Sequence, residues 1–103
     1  MSERSTLHLP DKYLQEVKRL LREHIPQAEV WAYGSRVQGD CHDASDLDLV
    51  ARFTPSDKRD IFRLGHLQEA FIESNLPIIV QIVDWDDIPG SFKDEIVAGY
   101  VVL

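Results

Sequence analysis

The stretch Trp31-Ala-Tyr-Gly-Ser-Arg-Val-Gln-Gly-Asp-Cys-His-Asp-Ala-Ser-Asp-Leu-Asp-Leu-Val50 decides how this chain is read. Val30-Trp31-Ala32-Tyr33 is a short run of β-formers that stops at Gly34, which predicts a first strand. Ser35 is a good N-cap and Gly39 a helix breaker, so a short helix is expected through Gln38. Asp40 to Ser45 is polar loop. Asp46 to Phe53 reads as a second strand, alternating at first and then largely apolar.

Asp46 and Asp48 carry the first chemical signal. A strand has period two, so both carboxylates leave one face, about 7 Å apart along the backbone, while Leu47 and Leu49 point to the core. Two close carboxylates repel, and a divalent cation relieves the repulsion. Mg²⁺ favours one or two carboxylates together with phosphate oxygens and water. Asp-x-Asp at a strand's start therefore suits phosphoryl or nucleotidyl chemistry. Gly34 and Ser35 carry the second signal. Gly34 has no side chain to block a ligand, and Ser35 opens a helix whose free N–H groups and dipole attract an anion. Gly39 lets the chain return without a side chain over the pocket. Arg36 either reaches a phosphate or is a solvated charge. Alone, each signal is weak: a solvated strand end explains an Asp-x-Asp, and a Gly-Ser turn is common. Together, within one strand–turn–helix–strand unit, they describe a nucleoside triphosphate site.

Outward from this centre the chain supplies a scaffold. Pro10 and Asp11 suit a helix's first turn, and Leu14, Val17, Leu20 and Leu21 recur at helical spacing, predicting a helix from about residue 10 to 24 that Ile25-Pro26 ends. Residues 1–9 read as a frayed arm. Thr54-Pro55-Ser56 is a turn with Ser56 as N-cap, and Ile61, Leu64, Leu67, Ala70 and Phe71 define a helix over 57–73. Ile78 to Asp84 is nearly all apolar, as in a central strand. Asp86 to Gly90 is a turn, and Ser91 is placed to cap a last short helix carrying Phe92, Ile96 and Val97. The apolar tail Gly99 to Leu103 is expected to dock on the core or on a partner. The order predicts a single α/β (α+β) domain over 1–103, a small mixed sheet with helices packed on one face.

Composition narrows the function classes. A net charge of −7 argues against broad nucleic-acid binding, which needs a basic face. One cysteine, Cys41, excludes an internal disulfide. No window approaches a membrane span, and the N-terminus lacks a signal peptide's apolar run, so a cytoplasmic protein is expected.

Gly34-Ser35 followed after ten residues by Asp46-Leu-Asp48 resembles the DNA polymerase β-like nucleotidyltransferase superfamily. Tyr33-Gly-Ser-Arg-Val-Gln-Gly39 and Ser45-Asp-Leu-Asp-Leu49 are similar to its minimal nucleotidyltransferase (MNT) branch. Ile82-Val-Asp-Trp-Asp-Asp-Ile-Pro89, then Ser91-Phe92 and Ile96, is similar to the tail of those small proteins, so the resemblance spans nearly the whole chain. It implies the polymerase β-like fold and transfer of a nucleoside monophosphate, AMP from ATP in the first place, to a hydroxyl acceptor with Mg²⁺. Gly34 and Ser35 would hold the triphosphate, with Arg36, Gly39 and Ser45 of the same motifs beside it. Asp46 and Asp48 would bind metal and serve catalysis. It further implies a helical HEPN partner protein, in a hetero-oligomer where the MNT chain is the antitoxin and adenylylates the toxin in some systems.

The third acid of the superfamily is where this chain departs. The small members carry a pattern like Val-Asp-Val-Val-Asp-Trp; here the stretch is Val80-Gln81-Ile82-Val83-Asp84-Trp85. Gln81 stands at the acid's position, and its amide cannot take an acceptor's proton. Asp84 is three residues away, an odd step that a regular strand sends to the opposite face, so it is expected to cap the turn at Asp86-Asp87. Nucleotide and Mg²⁺ binding are thus expected to survive better than transfer. Elsewhere the plainer readings lead: His42 as a solvated loop histidine, Cys41 as a bystander, Trp31 and Trp85 as packing, and Lys58, Arg59 and Arg63 as a wet helix face.

Overall fold

The computed structural model describes residues 7–39, 45–53 and 61–103. Expectations for Cys41, His42, Ser56, Lys58 and Arg59 lie outside the described residues. The elements run α1 (Asp11–His24), β1 (Glu29–Tyr33), α2 (Ser35–Gln38), β2 (Leu47–Arg52), α3 (Ile61–Glu73), β3 (Val80–Asp84), α4 (Gly90–Val97) and β4 (Tyr100–Val102), with a 3₁₀ turn at Trp85–Asp87.

The four strands form one mixed sheet in the order β3-β2-β1-β4. β1 is antiparallel to both β2 and β4, and β2 is parallel to β3. The parallel pair is joined through α3, as a same-direction return requires. The apolar tail therefore docks on the sheet, as its edge strand β4.

Period two sorts the strand residues onto two faces. Val30, Ala32, Leu47, Leu49, Ala51, Val80 and Ile82 meet Val17, Leu20 and Leu21 of α1 and Leu67 and Phe71 of α3 in the main core. Leu47 and Leu49 are fully buried there, and each contributes roughly 1.5–3 kcal/mol. The two long helices thus share one face, as the sequence predicts. Short α4 adds cover on the other, where Ile96 packs on Trp31 and Val50 with Tyr33, Val83, Trp85, Phe92 and Tyr100 around them.

Edge strand β3 is held by a side chain from α3. Gln68 Nε2 donates to the Val80 carbonyl at 2.7 Å, and the Ile82 N–H donates to Gln68 Oε1 at 3.1 Å. One amide thus does for the outer edge of β3 what a neighbouring strand would do, and fixes the position of Gln81 between them.

Several local expectations are corrected. Ser35 is not an N-cap: Gly34 takes that place, and its carbonyl accepts from the Val37 and Gln38 N–H groups at 3.0 Å each. Likewise Ser91 lies inside α4, which begins at Gly90 after Pro89. Pairing in β2 begins at Leu47, so Asp46 stands just before the strand, and β3 begins at Val80. The part of the arm described is not frayed. The His8 N–H donates to the Arg36 carbonyl at 2.7 Å, and Leu7 and Leu9 pack on the core.

Candidate active site

The site forms where β1 ends, α2 begins and β2 starts. Register brings its parts together: Tyr33 is opposite Asp48, and Asp48 is opposite Gln81. Directly paired residues project from the same face, so Tyr33, Asp48 and Gln81 form one row across three strands. The row lies on the face that carries α4. Asp84 is paired with Ala51 and so belongs to the opposite face. There its Oδ1 accepts from the Asp86 N–H at 2.9 Å, capping the 3₁₀ turn. The capping role expected for Asp84 is the one it has, and it does not replace the acid that Gln81 lacks.

Gly34 lies against Asp48. Its φ of +85° is a conformation that side chains disfavour. A Cβ built on Gly34 would stand 2.8 Å from Asp48 Oδ2. The glycine is therefore required twice, by its backbone and by the carboxylate lying against it. This contact places the anion-friendly turn directly beside a metal-type carboxylate.

The electrostatics of the site are set by burial and by neighbouring carboxylates. Half-burial, and then the nearby charge of Asp46, push the Asp48 carboxyl above its ordinary value. Burial, and then the Asp48 charge, push the Tyr33 phenol up to about 12. A cation held by Asp46 and Asp48 would offset the second cause of each shift, a neighbouring carboxylate's charge. The residues present thus fit a divalent ion. Among the described residues there is no group of three His, Cys, Asp or Glu side chains that would hold a metal unaided.

Two members of the expected nucleotide set have other positions. Arg36 neither reaches outward nor is solvated: it is 4% exposed, with Nε donating to the Ser45 carbonyl at 3.0 Å and Nη1 to the His8 carbonyl at 2.8 Å. Gly39 ends α2 in the left-handed conformation, φ +91°, and a Cβ there would face His8 Nε2 at 3.8 Å, so it lies on the arm side of α2. Ser35 is half-buried at the head of α2, and Ser45 leads into Asp46. Tyr33 is the residue that sequence reasoning passes over. Its signal was available, since alternation from Trp31 sets it on the same face as Trp31, immediately before the Gly-Ser turn.

The sequence profile of the polymerase beta nucleotidyltransferase family matches residues 15–103. The chain belongs to this family. It is 36% identical over 103 residues to the probable protein adenylyltransferase MntA of Haemophilus influenzae, spanning all of this chain and 89% of that protein. Among solved structures of this nucleotidyltransferase fold, a chain from the crystal structure of a toxin–antitoxin with AMP-PNP superposes with a TM-score of 0.68 at 25% identity. The match covers 85% of this chain and 69% of that one.

Proposed function

We propose that this nucleotidyltransferase binds Mg-ATP and transfers AMP to a hydroxyl group on a HEPN-type partner, as the antitoxin of a toxin–antitoxin pair. The observation that carries the reading is the Asp48 carboxylate lying against the Gly34 turn, 2.8 Å from where a Cβ would stand. The likeness to a protein adenylyltransferase and to a toxin–antitoxin with AMP-PNP supports the substrate and the partner.

Each residue has a task in this scheme. Val37 and Gln38 spend their amides on Gly34. The Ser35 amide and hydroxyl are then donors that a triphosphate would meet first. Asp46 and Asp48 would hold Mg²⁺, which when bound supplies positive charge to phosphate oxygens. In the transfer, the acceptor oxygen forms a bond to the α-phosphorus and the bond from that phosphorus to the bridging oxygen breaks. Pyrophosphate leaves. The acceptor's proton passes to solvent, because the amide of Gln81 has no site for it.

A second reading follows from the register of Gln81 with Asp48. If an acid is needed in that place, the chain binds nucleotide and neutralises its partner by docking alone. One experiment separates the two. The chain is co-purified with its genomic-neighbour helical protein and given α-labelled ATP and Mg²⁺, as wild type, Asp48→Asn and Gln81→Asp. Label on the partner from wild type, absent in Asp48→Asn, supports transfer. Label only from Gln81→Asp supports docking. No label and no nucleotide binding by any variant sinks both.

A further inference from the structure

We propose that Arg36 is a positioning residue that sets the separation between the Gly34-Ser35 turn and the Asp46/Asp48 pair. The turn and the pair are separated in sequence by the residues from Arg36 to Ser45. The buried guanidinium provides the short connection. Nε holds the carbonyl of Ser45, the residue immediately before Asp46, while the backbone of Arg36 lies in the first turn of α2. Nη1 holds the carbonyl of His8, and the Arg36 carbonyl receives the His8 N–H at 2.7 Å. The arm at Leu7–Leu9 is thus laced to residue 36 through both main chain and side chain, and packs its leucines on the core. Three separate segments meet at one cation: the arm, the phosphate-type turn and the approach to the metal-type acids.

The chemistry calls for arginine in particular. Two carbonyls in different directions need two donors held at a fixed angle. A guanidinium supplies them in a rigid plane and keeps its charge when buried. Lysine would keep the charge on one point at the end of a flexible stem. The consequence for ligand binding rests on the nucleotide reading above. If Ser45 drifts from α2, Asp46 drifts with it, and the residues that would hold a divalent ion, Asp46 and Asp48, lose their fixed distance from the Ser35 turn. Residues that orient metal ligands from behind typically change affinity about 10- to 100-fold when replaced.

The test uses the full chain as wild type, Arg36→Lys, Arg36→Met and, as a remote control, Arg22→Lys on the exposed side of α1. Amide hydrogen exchange reads the clamp itself. In Arg36→Lys the His8 and Leu47 amides are expected to exchange at least about tenfold faster, with Val50 and Ile82 in the sheet unchanged. Calorimetric binding of AMP-PNP with Mn²⁺ reads the consequence. It should weaken about tenfold in Arg36→Lys and toward 100-fold in Arg36→Met, with Arg22→Lys like wild type. Wild-type exchange in Arg36→Lys overturns the proposal. So does acceleration spread evenly over the sheet, which is what a purely structural arginine would give, and so does local acceleration with unchanged affinity. If wild type itself does not bind the nucleotide, the proposed function falls, and the exchange result alone upholds or overturns the clamp.

Discussion

One face of the sheet carries two regions of opposite character. At one end Tyr33, Asp48 and Gln81 stand in a row beside the Gly34 turn. At the other, the Arg52 guanidinium lies 4.7 Å from the Trp31 ring and 4.8 Å from the Trp85 ring, against both members of an edge-to-face pair. Trp31 also stacks on Tyr100 at 4.0 Å and donates through Nε1 to Glu29 at 2.8 Å. The indole end satisfies its charge with π-faces and its N–H with a carboxylate. The carboxylate end instead stores repulsion, with Asp48 raised by burial and by Asp46. The strands are the same, so the difference lies in what the side chains leave undone. The indole end holds the sheet and α4 together, and the carboxylate end is where a positive charge would be stabilised.

The largest effect should come from breaking the indole end. Trp31 is buried, touches both Trp85 and Tyr100, and packs with Ile96 of α4. Trp31→Ala is expected to cost about 3–5 kcal/mol, a fall in melting temperature of more than about 10 °C for a domain of this size. Nucleotide affinity measured well below the new melting point should fall far less than stability, because the Trp31 ring is spent on Trp85, Tyr100 and Arg52, one row away from Asp48. A small loss of stability with a large loss of binding would erase the distinction between the two ends.

Gly34→Ala should do the reverse. The new Cβ would stand 2.8 Å from Asp48 Oδ2 at a φ of +85°. Backbone strain costs about 1–2 kcal/mol, and the carboxylate must move. AMP-PNP affinity with Mn²⁺ is expected to fall about 100-fold, roughly 2.7 kcal/mol, more than the stability lost. Titration calorimetry beside thermal melts checks the ratio. Unchanged affinity would mean that the turn and the carboxylate do not act together.

This contrast also explains what was legible in the sequence. Parity along a strand is a local property, so the opposite faces of Gln81 and Asp84, and the inward turn of Leu47 and Leu49, followed from counting. The cap by Asp84 on the Asp86 N–H was legible for the same reason, since its partner is two residues away. Arg36 was not. Its guanidinium bonds to main-chain carbonyls 9 and 28 residues distant, and a carbonyl has no side-chain signature to read. The placement of α4 was also hidden. Its apolar residues show that it packs, but which face it covers depends on the path after the 3₁₀ turn. Both readings offered for Arg36, a phosphate contact or a solvated charge, assume an outward side chain, and the structure buries it.

The smallest effect is the most diagnostic, because it should change sign with the ligand. A carboxyl whose folded value is raised binds its proton more tightly folded than unfolded. Its contribution to stability is full below the ordinary carboxylate value and is lost as pH rises through the raised one. At neutral pH, wild type therefore carries an ionised Asp48 that opposes folding. Asp48→Asn removes that charge at nearly constant volume. With the discount that a half-exposed group requires, the gain is roughly 0.5 kcal/mol, so the variant should melt about 2–4 °C above wild type at pH 7. By about pH 3, below the ordinary carboxylate value, both forms are neutral and the difference should close. Mn²⁺ with AMP-PNP then inverts the order. Ligand at ten times its dissociation constant stabilises wild type by about 1.4 kcal/mol and leaves the variant nearly unmoved. Melting curves at the two pH values, with and without ligand, read all four corners. An Asn variant less stable than wild type at neutral pH would show that Asp48 is a structural carboxylate, and the stored repulsion at this end of the sheet would have to be given up.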